Sequence, residues 1–236
     1  MSDVERATRY DRDGVEFGRS LSYLDATFAI ATTLLVTTLN PTELEWTSWS
    51  RFWDDAQGPL LGFGLSFVVV SSYWWANHRL VSTMRSLSPR FVLRSLVMLA
   101  FVALVPFTTE GLGEVANNRN QVSTVVYALN IVLVSLTATW LDLTAYQDDL
   151  YQRRYTRDEY RRRTLANLDT PAVFLLSIPI ALLVSGNLAR LSWLLLVPTS
   201  IFGGRWATSR TSSTGDAAAP PTGDDPGDAD APQGSG

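Results

Sequence analysis

The chain has 236 residues, a formal net charge of −4 and no cysteine, which excludes a disulfide framework and thiolate chemistry. A mean hydropathy of only +0.07 would suit a soluble protein, but that average conceals long apolar blocks diluted by polar ends. The first twenty residues are highly charged and no small-residue cleavage site follows a short apolar core, so no cleavable signal peptide is expected.

Residues 1–18 are predicted as a polar cytoplasmic segment, and the first apolar block covers about 20–39. At about 1.5 Å per residue it is long enough to cross a hydrocarbon core as a helix. Asp25 lies inside it, and an intramembrane acid costs roughly 2.5–3.5 kcal/mol on insertion scales. One side of this helix is therefore expected to meet protein, water or ions. Next, Glu43 to Gln57 places Trp46, Trp49 and Trp53 at helical spacing among acidic residues. That pattern suits a short helix in the outer interface or simple aromatic-belt anchoring.

A second span is predicted over 58–78 and a third over 91–110, the latter interrupted by Arg94, whose long side chain can snorkel. A fourth covers 121–146, a fifth 170–187 and a short sixth 190–206. Between the fourth and fifth, Tyr146 to Arg163 is too charged to be embedded. It is expected to prolong the fourth helix, with arginines facing anionic headgroups. Residues 211–236 carry five Asp, no basic residue and nothing apolar beyond Ala and Pro, the composition of a disordered acidic tail. The predicted fold is thus an all-α membrane protein with six transmembrane helices, the unit spanning 19–209.

Arginine placement supports this count. Arg6, Arg9, Arg12 and Arg19 precede the first span. Arg79, Arg85, Arg90 and Arg94 follow the second, and Arg153, Arg154, Arg157, Arg161, Arg162 and Arg163 follow the fourth. With Arg205 and Arg210, one side holds sixteen; Arg51, Arg119 and Arg190 are the three on the other. The bias predicts a multi-pass protein with both termini cytoplasmic. The opposite loops carry Glu43, Glu45, Asp54, Asp55, Glu110 and Glu114, either a mild cation-concentrating field or ordinary solvated loops.

If the first two helices are antiparallel neighbours, Asp25 lies near the depth of Asn77, His78 and Arg79. A buried carboxylate needs a charged or hydrogen-bonding partner. Arg19 is six residues before Asp25 and off its face, but can bridge to a neighbouring helix. These five residues are read as a polar clamp fixing the bundle, with a proton or ion relay as the alternative. His78 is the only histidine and lacks ligand company, so neither a metal nor a cofactor is expected. Along the first helix Tyr23, Thr27, Ile30, Leu34 and Thr37 form a stripe, and Ala26, Ala29 and Ala31 permit close helix approach. By periodicity alone the stripe is ordinary bundle packing or a functional face.

The run Arg19-Ser20-Leu21-Ser22-Tyr23-Leu24-Asp25, followed by Ala26 to Ala31 and Thr33-Leu34-Leu35-Val36, resembles the signature first helix of the transmembrane protein 175 potassium channel family. That signature is Arg, three residues, Phe-Ser-Asp, then an alanine- and isoleucine-rich stretch ending Thr-Leu-Leu-Val. Trp75-Ala76-Asn77-His78-Arg79, Pro106-Phe107-Thr108-Thr109 and Tyr127-Ala128-Leu129-Asn130 resemble further family motifs in the same order. The resemblance implies a prokaryotic single-unit member that assembles as a homotetramer around a pore lined by the first helix. It implies a hydrophobic constriction at Ile30, further pore layers at Leu34 and Thr37, and a selectivity position at Thr33. Potassium ions, the lipid bilayer and other copies of the chain are the implied partners, with no nucleic acid. The chain departs from the signature at Tyr23-Leu24-Asp25, which lacks the serine, and at Thr37, which replaces a larger aliphatic layer.

No Thr-Val-Gly-Tyr-Gly filter is present, so a ring of backbone carbonyls of that type cannot supply selectivity. The leading expectation is a potassium-preferring cation channel. A proton-coupled secondary transporter using Asp25 and His78 is the alternative, although inverted repeats are not evident. A membrane enzyme would need Asp25 and Asp142 to converge as an acid pair, and neither lies in a catalytic motif; the protein is expected not to be an enzyme.

Overall fold

The computed structural model describes residues 9–112, 119–153, 155–166 and 169–183, together with Trp193. A two-residue strand β1 (Tyr10–Asp11) leads through Gly14 into helix α1 (Val15–Leu34), which tightens into a 3₁₀ segment at Leu35–Leu39. A second 3₁₀ turn, Pro41–Glu43, follows Asn40, whose φ of 29° is the left-handed conformation that asparagine tolerates. Helix α2 runs Trp49–Ser82, strand β2 is Ser86–Leu87, and helices α3 (Pro89–Ala103) and α4 (Val105–Glu110) follow. Then come α5 (Arg119–Gln147), α6 (Arg157–Ala166) and α7 (Asp169–Leu183).

Four described helical stretches are long and apolar enough to cross a membrane: Val15–Leu39, Trp49–Ser82, Pro89–Glu110 and Gln121–Gln147. The protein is a mostly helical membrane protein. The described count is four spans, where six were expected. Of the fifth, 170–187, the described residues hold the helix α7 up to Leu183, and 184–187 lie outside the described residues. The sixth, 190–206, lies outside the described residues except Trp193, and so does the 211–236 tail.

Helix starts and stops follow local chemistry. Ser48 caps α2 by accepting from the Arg51 N–H at 3.4 Å, and Ser88 caps α3 by accepting from Phe91 at 3.1 Å with Pro89 behind it at the first turn. α2 therefore absorbs most of the tryptophan segment: where a separate interfacial helix was expected, the structure has the first part of one 34-residue helix. At about 51 Å long, it projects beyond a bilayer, and Trp49 and Trp53 on that projection remain exposed. α3 and α4 are interrupted at Leu104 because Pro106 offers no N–H to the carbonyl one turn back.

α5 ends at Gln147 and does not run on into the charged segment. Leu150 N–H reaches the Ala145 carbonyl at 2.9 Å and Asp149 N–H the Tyr146 carbonyl at 3.3 Å, with Asp149 at φ 52°. This is the Schellman pattern, with an aspartate in the left-handed position. α6 is consequently a separate element.

Inside a bilayer the bundle gains little from hydrophobic transfer between helices, so close packing and hydrogen bonds hold it. Gly62 of α2 is such a contact: a Cβ there would lie 3.5 Å from Leu112 and 3.8 Å from Thr109. Beside it a buried hydroxyl cluster joins three helices. Ser66 Oγ lies 2.7 Å from Thr109 Oγ1 and donates to Tyr127 Oη at 3.1 Å. One layer away Asn130 Nδ2 donates to Thr108 Oγ1 at 3.3 Å. Tyr127 in turn packs on Phe174 and Trp193, with ring centroids 6.2 and 5.2 Å away. Arg94 does not simply snorkel; it lies 4.3 Å over the Trp140 ring and donates to Thr144.

At the arginine-rich end, β1 pairs antiparallel with β2, Tyr10 opposite Leu87 and Asp11 opposite Ser86. Arg12 donates to the carbonyls of Ser82 (3.0 Å) and Met84 (2.8 Å), and Arg9 to that of Asp148 (2.6 Å). Arg85 pairs with Asp149 at 2.6 Å, and Met84 bridges to Tyr151. The polar leader expected over 1–18 is thus strapped, from Arg9 onward, to the two connections on that side.

Candidate functional site

α1 divides cleanly into two faces. Phe17, Leu24, Phe28, Ala31 and Leu35 are buried, at the spacing that puts one stripe against the rest of the bundle. Tyr23 and Ile30 are each 59% exposed and Leu34 46%, and Thr33 and Thr37 are also exposed. At about 100° per residue, Ile30 lies some 200° from Phe28. Of the stripe picked out from the sequence, Tyr23, Ile30, Leu34 and Thr37 therefore lie on a face that the chain itself leaves uncovered, and Thr27 is half-buried. Ala26 and Ala29 sit on the open side and Ala31 in the core.

The substitution within the family signature has a structural consequence. Leu24, where the signature has serine, is 3% exposed and packs in the core. Tyr23 points the other way, toward the open face. Both threonine hydroxyls on that face donate to their own helix: Thr33 Oγ1 to the Ile30 carbonyl at 2.9 Å, and Thr37 Oγ1 to the Leu34 carbonyl at 2.7 Å. With the proton turned inward, the oxygen lone pairs remain available on the open side.

Asp25 is half-buried and accepts from Trp74 Nε1 at 3.0 Å. This bond places α1 and α2 side by side at that depth. Trp74 also stacks on His78, centroids 5.4 Å apart at 27°, and His78 lies 6.0 Å from Trp75. The clamp expected around Asp25 is thus only partly assembled among the described residues. Arg19 pairs instead with Glu16 at 3.3 Å, both exposed, and Arg79 is exposed. Asn77 is buried, and neither of its amide atoms has a hydrogen-bond partner among the described residues. Asp142 accepts from Tyr151 Oη at 2.5 Å, so the two carboxylates considered as an acid pair are held by different partners.

Trp74 was missed by the sequence reading. Its signal was present: it precedes His78 by four residues and so shares its helical face. The hydroxyl cluster was missed in the same way. Thr108, Thr109, Tyr127 and Asn130 came to notice as motif residues, and the structure shows that the two motifs touch each other.

Residues 19–106 match the family described as endosomal/lysosomal potassium channel TMEM175. Over that segment the chain is similar to the TMEM175 family. A curated potassium channel of Streptomyces collinus is 26% identical over 189 residues, covering 74% of this chain and 90% of its own length. Another, of a Chryseobacterium species, is 26% identical over 125 residues, covering 53% of this chain and 62% of its own length. Among solved structures, a lysosomal potassium-selective channel TMEM175 homolog from Chamaesiphon minutus superposes with a TM-score of 0.66 at 23% identity, covering 79% of this chain and 97% of that one. A variant of the potassium channel MtTMEM175 gives 0.55 at 18%, covering 81% and 93%. At these identities the structural likeness is one of fold. The family is one of ion channels rather than enzymes.

Proposed function

We propose that the protein is a potassium-preferring cation channel in a cell membrane, built from four copies with α1 facing the shared axis. Ile30 forms the narrowest ring, Leu34 and Thr37 form further layers, and Thr33 sets ion preference. The observation that carries this reading is the uncovered face of α1, which presents an isoleucine, a leucine and two threonine oxygens in line. A hydrophobic ring makes ions shed or rearrange hydration, and nearby hydroxyl oxygens replace part of it. The potassium-channel relatives and the TMEM175 fold support the same conclusion.

In this reading the arginine-rich end is cytoplasmic, as the sixteen-to-three distribution favours. The unit extends over 19–209 with six spans, preceded by the 1–18 segment and followed by the acidic 211–236 tail. Asp25, Arg19, Asn77, His78 and Arg79 steady the foot of the pore helix, with Trp74 added to them. The test is ion flux through the purified protein in liposomes under a potassium gradient. Potassium flux exceeding sodium flux supports the channel, and absence of flux from correctly assembled protein refutes it.

One observation favours a second reading. Trp74 touches both Asp25 and His78, placing the two groups of a proton-coupled carrier on one side chain. Saturable uptake that depends on a proton gradient and vanishes in Asp25→Asn would select that carrier over a passive pore.

A further inference from the structure

We infer that α6 is a binding site for anionic phospholipid headgroups, with Arg161 and Arg162 as the contacts and Leu165 as an apolar wedge beside them. The inference rests on the membrane placement of α5 and α7 and is independent of conduction.

Two attachments hold α6 at the membrane surface. Tyr160 is buried and stacks on Tyr146 in the last turn of α5, centroids 4.0 Å apart at 12°. At the other end, Ala166 and Asp169, where α7 begins, are separated by two residues, no more than about 11 Å of chain. The helix therefore lies between the ends of two apolar helices and has no room to swing into bulk solvent.

Charge is segregated along it. Glu159 closes a capping box with Thr156, accepting from the Thr156 N–H at 3.0 Å while Thr156 Oγ1 accepts from the Glu159 N–H at 3.3 Å. It also pairs with Arg153 at 3.4 Å. Asp158 is in the same first turn. Both acids are thereby gathered at the helix start, and the second half carries arginine without acid. Arg157, Arg161 and Arg162 are exposed, and none forms an ion pair with a described residue.

The geometry of the faces completes the argument. Tyr160 fixes the inner side, so Arg161, Leu165 and Arg162 fall roughly 100°, 140° and 200° around from it. Leu165 is 58% exposed and lies four and three residues beyond the two arginines. Two guanidinium groups with no ion pair among the described residues flank an exposed leucine, and at the depth of a membrane surface they match an anionic headgroup above an acyl chain. Asp158 shares this face one turn earlier and weakens the field there.

Because the chain has no cysteine, Leu165→Cys gives a single labelling site for an environment-sensitive fluorophore. The labelled full-length protein is placed in liposomes of phosphatidylcholine and phosphatidylglycerol, brominated on one lipid at a time. The expected result is stronger quenching by brominated phosphatidylglycerol at equal mole fraction, weakening with added salt. Each of Arg161→Gln and Arg162→Gln should reduce the preference about fivefold, and Asp158→Asn should increase it. Equal quenching by both lipids, a preference untouched by the glutamines, or a label already shielded in detergent by a second copy would each overturn the proposal. Modification of the same cysteine by an impermeant reagent added outside intact cells would overturn the sidedness instead.

Discussion

Trp74 donates its indole N–H to Asp25 at 3.0 Å, so the acid at the foot of α1 is tied to α2 through a neutral donor. Trp74→Phe keeps the ring that packs on His78 and removes that donor, leaving a half-buried carboxylate short of a partner. The expected cost is about 1–3 kcal/mol, read as a fall in thermal midpoint of the detergent-solubilised protein. Asp25→Asn retains an acceptor oxygen and should cost less.

The hydroxyl cluster gives a ranking. Thr109 donates to the Val105 carbonyl at 2.7 Å, so Ser66 stands between two buried oxygens. Ser66→Ala strips Tyr127 of its partner at a fully buried site and should cost about 1–3 kcal/mol. Tyr127→Phe leaves the Ser66–Thr109 contact intact and should cost about 1 kcal/mol. Chemical denaturation of the two variants checks the order; equal losses would show that Tyr127 Oη has another hydrogen-bond partner.

Arg12 fastens the leader to the connection after α2 through two carbonyls, only three residues before α1 begins. Arg12→Ala should free that strap locally at a cost of about 1–3 kcal/mol, since hydrogen bonds to a charged donor are the stronger kind. Hydrogen exchange should accelerate at Tyr10–Asp11 and Ser86–Leu87 while the core of α5 is unchanged.

Glu159 is held below the usual glutamate range, chiefly by the Thr156 N–H; desolvation opposes this, and the Thr156 side chain and Arg153 add to the lowering. A carboxyl whose folded pKa is depressed contributes stability that is present above its unfolded value. That contribution is lost as pH falls through the folded value. α6 should therefore fray in acid below the ordinary carboxylate range, and Glu159→Gln should remove that dependence. Amide exchange across Arg157–Ala166 as a function of pH reads both.

Much of the architecture was legible because apolar blocks and arginine clusters alternate, and both follow from the bilayer as solvent. The two faces of α1 were legible for the same reason, since Phe28 and Ile30 fall on opposite sides of any helix. The continuity of the tryptophan-bearing segment with α2 was not, because Gly58 and Pro59 stand between it and the apolar block and read as a break. The stop after Gln147 was hidden too: aspartate in the left-handed position replaces the expected glycine at Asp149. The partner of Asp25 was misplaced by one turn, since depth counted along two helices cannot fix their rotation. Two-residue strands such as β1 and β2 carry no period to detect.

The central claim is that the open face of α1 borders the ion path. The cysteine-free chain allows a direct measurement: single cysteines at Ile30, Leu34 and Thr37, and at Phe28 and Ala31 on the buried face, tested for block of potassium current by a small water-soluble thiol reagent. The account predicts block at Ile30, Leu34 and Thr37, strongest at Ile30, and none at Phe28 or Ala31. Current indifferent to modification at all three exposed positions, or blocked equally from both faces, would contradict it.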